Sequence, residues 1–190
     1  AIMPKPWFAI LTADGKHPFR GNRQNFSDLI HTGKQMGILV YVFTPKGINF
    51  KQPTSIEGWI LKNGRWVKKQ LPFPQVVYNR IPDRETEQQP EYQQTLRWLE
   101  QQKVHLFNPG FFDKWSLYQN LKQIEACQRH LPTTTFFTNL QTLQNMAQQY
   151  SILYGKPING KAGIGMFRIK RLPKGWELVM QTKKDKKRFY

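Results

Sequence analysis

The sequence predicts an α/β protein in two parts, and three observations carry that prediction. Between Trp7 and Phe43 an apolar run, a helix-spaced segment and a β-branched and aromatic run follow one another. Asn63-Gly64 separates two further strand-like runs. After Asn108-Pro109-Gly110 the pattern changes to two helices and then three strands.

Each element has its own signal. Trp7 to Leu11 is apolar and ends at the turn signal Ala13-Asp14-Gly15, which predicts a first strand. In residues 24–36, Phe26, Leu29, Ile30 and Gly33 recur at helical spacing, and Gly37 stops the pattern. ILVYVF follows as a second strand, so strand, helix and strand form a βαβ unit with a parallel pair. In EGWILKNGRWVKK the Asn-Gly dipeptide predicts a two-residue hairpin turn. Val76 to Ile81 reads as a strand. YQQTLRWLEQQ reads as a helix with Leu96, Trp98 and Leu99 on one side, and Val104 to Phe107 as a strand. Asp113 stands where a helix N-cap belongs, ahead of one continuous helix over KWSLYQNLKQIEACQRH with a broad apolar face. Leu131-Pro132 ends it. A helix at about 138–149 carries Leu140, Leu143 and Met146, and strands follow at 151–156, 165–171 and 176–182, the last two joined by a turn at Pro173 and Gly175. A domain boundary is placed near 108–112, giving domains 1–110 and 111–190.

Bulk properties narrow the function classes. With 39% apolar and 14% aromatic residues, the 190-residue chain can bury a core and is not a disordered tail. No run approaches the roughly 20 apolar residues that cross a bilayer. AIMPKPWFAIL has only a five-residue apolar run and no cleavage site, so the expected location is cytoplasmic. The single cysteine, Cys127, excludes a disulfide within these residues and reads as a buried helix position. The charge is +17, from 29 Lys and Arg against 12 Asp and Glu, which favours an anionic partner. Five of the last eight residues, KKDKKRFY, are basic and read as a solvated, partly frayed tail.

The most informative segment is KPINGKAGIG, Lys156 to Gly165. Gly160, Gly163 and Gly165 lie between two β-like runs with Lys156 just upstream. Glycine lets backbone N–H groups approach an anion and converge on it. A Walker A loop is excluded, because Gly165 stands five residues after Gly160 and is followed by Met166. The order G-x-x-G-x-G also reverses the dinucleotide fingerprint. By itself the segment is equally readable as a phosphate cradle or as a plain glycine-rich hairpin. Lys114, at the first position of a helix, opposes the macrodipole by about 0.3–1 kcal/mol, which suggests placement for another purpose.

FNPGFFDKWSLYQNL, LPTT, a helix and LYGKPINGKAGIGMFRI, in that order, resemble the YheC/YheD-like ATP-grasp proteins associated with the endospore coat of spore-forming bacteria. VVYNRIPDR resembles the tyrosine–asparagine–arginine motif of the same family, and the resemblance runs from about residue 38 to 182. It implies a pre-ATP-grasp α/β domain over 1–110 and the first, small lobe of an ATP-grasp fold over 111–190. It further implies that ATP is the cofactor, with Lys114 and Lys156 on the α- and β-phosphates. Gly160, Lys161, Ala162, Gly163 and Gly165 would form the loop over the nucleotide. Asn79, Arg80 and Arg84 would be candidates for binding an anionic or carboxylate substrate; they read equally as a structural loop of hydrogen bonds and ion pairs.

The resemblance also implies Mg²⁺, held by acidic and asparagine side chains that come later in such folds. Beyond Gly165 only Glu177 and Asp185 are acidic, without an Asp/Glu–x–Asn cluster. The expectation is therefore that the metal ligands lie in a missing C-terminal half, and that this chain alone binds phosphates without completing catalysis. His17, His31, His105 and His130 are scattered, which gives no metal spacing. No G-x-S-x-G elbow or Cys–His arrangement occurs. Three readings stay open: an ATP-grasp ligase-like portion, a non-catalytic spore-coat or adaptor protein with coat-protein partners, and, ranked last, a basic nucleic-acid-binding module.

Overall fold

The computed structural model describes residues 6–51, 53–160 and 163–190. The chain forms two compact units, Ala1–Phe111 and Phe112–Tyr190. Both are mixed α/β, with one sheet each.

The first unit begins with β1 (Trp7–Leu11), α1 (Arg23–Gln35) and β2 (Leu39–Ile48). Asn22 starts the helix, its side-chain oxygen accepting the N–H of Asn25 at 3.1 Å. Strands β1 and β2 pair in parallel, Ala9 opposite Tyr41, as a crossover helix permits. Next come β3 (Ser55–Lys62) and β4 (Arg65–Pro72), paired antiparallel from Lys62–Arg65 to Ser55–Pro72. Asn63 and Gly64 take φ of 50° and 73° between them, the left-handed pair of a type I′ turn. β5 (Val76–Asn79) then returns to the other side of β1, followed by α2 (Arg84–Glu87), α3 (Pro90–Gln101) and β6 (His105–Phe107).

The sheet order is β4-β3-β2-β1-β5-β6. The chain first builds outward from β1 in one direction and then in the other. That makes the β1/β5 junction a topological switch point, with loops diverging at the strands' C-terminal ends. One face of the sheet buries Tyr41, Phe43, Leu71 and Val77 with Tyr92, Leu96 and Leu99 of α3. The opposite face packs Ile10, Val42 and Trp59 with Phe19 and with Phe26 of α1. Burying an aromatic such as Phe26 contributes about 1.5–3 kcal/mol, so these two layers hold the unit together.

The second unit contains α4 (Lys114–Lys122), α5 (Glu125–Gln128), α6 (Leu140–Gln149), β7 (Ile152–Gly155), β8 (Phe167–Leu172), β9 (Gly175–Gln181) and β10 (Lys186–Phe189). Its sheet is antiparallel throughout, in the order β10-β9-β8-β7.

Three expectations are corrected here. The helix read as continuous over 114–130 breaks at Gln123 and Ile124, where Ile124 is extended at φ −96°, ψ 110°. The Gln128 side chain donates to the carbonyl of Lys122 at 3.0 Å, satisfying an acceptor near that break. The apolar periodicity ran across the break because Leu117 and Ile124 are not core residues: they are 45% and 50% exposed. Cys127, in the one-turn α5, is half-buried rather than buried. The basic tail is solvated but not frayed. Residues Lys186–Phe189 pair with Leu178–Gln181, so backbone hydrogen bonding orders a segment with no apolar pattern. Among the described residues, no helix is long and apolar enough to cross a membrane.

Candidate functional site

The glycine-rich segment and the first helix of the second unit meet at Lys114. Asp113 caps α4, one carboxylate oxygen accepting the N–H of Ser116 at 2.7 Å and the other its hydroxyl at 2.6 Å. This fixes the first turn. The main-chain N–H of Lys114 then donates to the carbonyl of Ile158 at 3.2 Å, and its ammonium donates to the carbonyl of Gly160 at 2.5 Å. Helix start and loop are thus joined by both ends of one residue. An ammonium carries three donors, and among the described residues one of them is engaged, by Gly160.

The loop leaves β7 through Lys156 and Pro157. The N–H of Gly160 turns back to the Pro157 carbonyl at 3.4 Å. Lys161 and Ala162 lie outside the described residues. Beyond them Gly163 and Gly165 take φ of 72° and 77°, a left-handed backbone that side-chain-bearing residues rarely adopt. A Cβ at Gly163 would meet only Met166 Sδ, at 3.7 Å, so the dihedral and not crowding calls for glycine there. The loop's exit is anchored: Gly165 N–H donates to the Gln181 carbonyl at 2.9 Å, and Gln181 N–H to the Met166 carbonyl at 2.8 Å. Lys156 is exposed, and among the described residues no carboxylate lies within 4.0 Å of it. The result is a glycine-rich loop held at both roots, with Lys114 bonded to its Gly160 carbonyl and Lys156 at its entry.

In the first unit, Asn79, Arg80 and Arg84 do not converge. Asn79 is 2% exposed; its amide donates to Glu87 Oε2 at 2.8 Å and its oxygen accepts the N–H of Ile81 at 3.1 Å. Glu87 is itself buried, its other oxygen accepting the N–H of Phe111 at 3.1 Å. Arg80 points toward α1 instead, with Nη2 at 3.4 Å from Asn25 Oδ1 and the guanidinium 5.5 Å from the Tyr78 ring centre. Its Nε is buried without a hydrogen-bond partner. Arg84 donates to the Phe111 carbonyl at 3.5 Å and lies 6.0 Å from that ring.

Sequence reasoning did not single out Glu87, Arg20, Asp83 or the carbonyl of Gly160. Asp83 was detectable, since an aspartate preceding a short polar stretch is an N-cap signal. It accepts the Thr86 N–H at 2.8 Å and binds Arg20 Nη2 at 2.8 Å, and Arg20 Nη1 reaches Thr86 Oγ1 at 3.0 Å. The backbone hydrogen bond from Thr86, with the Arg20 charge assisting, holds the Asp83 carboxyl below its ordinary range.

Residues 103–190 match the family model described as YheC/D like ATP-grasp. Over 179 residues the chain is 31% identical to the endospore coat-associated protein YheD of Bacillus subtilis (strain 168), covering 94% of this chain and 39% of that protein. The chain thus spans about two fifths of the length of that relative.

Proposed function

Because its residues 103–190 belong to the YheC/D-like ATP-grasp family, we propose that this chain binds the phosphates of ATP through Lys114, Lys156 and the 160–165 loop. The observation that carries the reading is the bond from the Lys114 ammonium to the Gly160 carbonyl, which joins the helix lysine to the glycine loop. Left-handed Gly163 and Gly165 supply a backbone able to follow an anion closely. Lys161 and Ala162 belong to the same proposed loop. On this reading residues 111–190 act as the first lobe of an ATP-grasp fold, and 1–110 act as the pre-ATP-grasp domain, with Arg80 and Arg84 on the acceptor side and buried Asn79 shaping the loop that carries them.

ATP fits this donor set, because ammonium groups suit phosphate oxygens. Magnesium does not fit the residues described. Among them no group of three or more His, Cys, Asp or Glu is arranged to hold a metal ion. For a whole protein of this family we propose ligase-type chemistry, in which ATP activates a carboxylate as an acyl phosphate and an amine or similar nucleophile displaces the phosphate. Coat association, which the relative's name states, is proposed for this protein as well.

The test is a calorimetric titration of ATP, with and without Mg²⁺, into the chain and into a Lys114→Ala/Lys156→Ala double variant. Hydrogen bonds to charged groups contribute about 1.5–3 kcal/mol each, so the double variant should bind at least tenfold more weakly. Equal affinity, or no binding by the parent chain, overturns the proposal. A second reading is a non-catalytic coat protein that keeps the fold, motivated by the relative's name, which states coat association and no activity. ATP-dependent phosphate release by a longer form of the protein would remove it.

A further inference from the structure

The two faces of the second unit's sheet differ. Arg171 of β8 donates to the carbonyls of Ala147 and Gln148, so the C-terminal end of α6 lies on the face that Arg171 shares. Lys170, one residue earlier, belongs to the opposite face, as strand alternation requires. Register assembles that second face, because residues opposite one another or two apart on a strand share a side. Tyr154 of β7 lies opposite Arg168 of β8, Arg168 opposite Val179 of β9, and Val179 opposite Arg188 of β10. In the flanking rows Ile152 lies opposite Lys170, and Gln181 opposite Lys186. The Arg188 guanidinium lies 3.5 Å from the Tyr190 hydroxyl, which puts that ring beside the same residues. These groups are dispersed along the sequence, and three strand pairings gather them.

Tyr154 is 64% exposed and Tyr190 84%, and Lys170, Lys186 and Arg188 are exposed as well. Glu177, opposite Lys170, is the one carboxylate among the residues paired on this face. It is 8% exposed and accepts from Arg168 at 2.6 Å and from Arg188 at 3.4 Å, so it holds the two arginines side by side. Among the described residues no carboxylate lies within 4.0 Å of Lys170 or Lys186. Four cations thus surround one covered anion, with an aromatic ring at each edge of the sheet. Three strand spacings separate β7 from β10, about 14 Å in all. An extended strand crossing the sheet would meet a ring, then cations, then a second ring.

We propose that this face binds single-stranded nucleic acid, with bases stacked on Tyr154 and Tyr190 and phosphates on Arg168, Lys170, Lys186 and Arg188. Cations flanked by exposed rings suit such a ligand, since every linkage carries a charge and every base has a π-face. An acidic polypeptide would use the cations and leave both rings exposed. A duplex keeps its base faces inside the stack, and a flat sheet face offers no element to enter a groove. The proposal does not depend on the ATP reading.

The experiment uses the intact chain without ATP. A fluorescein-labelled oligo-dT of about 15 nucleotides is titrated with the chain, and its anisotropy is followed. The expected result is saturable binding that weakens with salt, with a log–log slope of about −2 to −3 from roughly 0.7 per neutralised phosphate. Lys170→Gln/Lys186→Gln should bind at least tenfold more weakly; neither lysine has a carboxylate partner whose loss would disturb the sheet. Lys62→Gln/Lys69→Gln removes the same charge from exposed positions of the first unit's hairpin and should change affinity less than twofold. Tyr154→Ser should cost at least fivefold. An abasic oligomer of equal length, and polyglutamate, should each bind at least tenfold more weakly. Lys114→Ala, which the ATP reading requires to weaken ATP, should leave oligo-dT binding within twofold, so the two proposals fail separately. Should Tyr154→Ser disturb the sheet, the abasic comparison and the two lysine pairs decide the matter. No anisotropy change at micromolar chain, equal binding of the abasic oligomer or polyglutamate, equal effects of the two lysine pairs, or a tenfold loss in Lys114→Ala would each overturn the assignment.

Discussion

The ammonium of Lys114 donates to the carbonyl of Gly160, 46 residues later, at 2.5 Å. One side chain therefore ties the start of α4 to the turn of the glycine loop. Replacing Lys114 by Met should release that turn, and the amides of Gly160 and Gly163 should exchange several-fold faster, as loss of about 1 kcal/mol implies. Lys156→Met should leave their exchange unchanged. Hydrogen exchange without ATP checks both, and equal effects of the two variants would refute the tie.

Glu87 and Asn79 form a buried pair in which the carboxylate accepts from the Asn79 amide and from Phe111 N–H. Both partners of Glu87 are donors. Glu87→Gln presents a donor to one of them and should destabilise the first unit by roughly 1–3 kcal/mol. Urea unfolding followed by tryptophan fluorescence measures this. A change below 0.5 kcal/mol, on the order of a neutral surface substitution, would show that the pair is dispensable.

Gly64 holds φ at 73° with open space around it, so only the dihedral resists a side chain. Gly64→Ala should cost about 1–2 kcal/mol. Asn63→Gly, at φ 50°, should cost less than Gly64→Ala or be neutral. Thermal unfolding of both variants provides the comparison, with ATP affinity expected to stay constant.

Asp83 has a folded-state pKa below its ordinary value, chiefly through the Thr86 N–H, and secondarily through Arg20. Its contribution to stability is complete above the unfolded carboxyl value near 4 and is lost as pH falls through the depressed folded value. Asp83→Asn keeps a good N-cap but not the charge. Its unfolding midpoint should fall less steeply than the parent's below about pH 4. Parallel pH curves for the two proteins would contradict this.

Glu177, 8% exposed, accepts from Arg168 at 2.6 Å and from Arg188 of β10 at 3.4 Å. Glu177→Ala leaves both guanidinium groups without this partner and should destabilise the edge of the second sheet by about 1–2 kcal/mol. Trypsin should then cut among residues 183–188 several-fold faster than in the parent. Unchanged cleavage would mean that backbone pairing alone holds β10.

Much of the fold was legible along the chain because its signals are local. Continuous apolar, β-branched and aromatic runs marked β1 and β2, a short strand-like run marked β5, and helical spacing at Phe26 and Leu99 marked α1 and α3. Asn63-Gly64 specified its turn, and Asp113 its cap. The broken helix after Lys122 was not legible, because apolar spacing does not reveal whether a layer of protein will cover it. Strand β10 was missed for a related reason: its order comes from an antiparallel neighbour, not from its own basic side chains. At the candidate site, residue types and order pointed to the glycine loop and to Lys114.

What the sequence determined by itself was the kind of elements, the mixed α/β class and the chemistry available: cations, glycines and a capped helix in a fixed order. Tertiary structure alone decided which of these groups meet. It brought the Lys114 ammonium to the Gly160 carbonyl and turned neighbouring Asn79 and Arg80 toward different partners. The physical reason is range. Dihedral preference and periodicity act over a few residues, whereas hydrogen bonds between distant segments depend on the register of strands and the closure of loops.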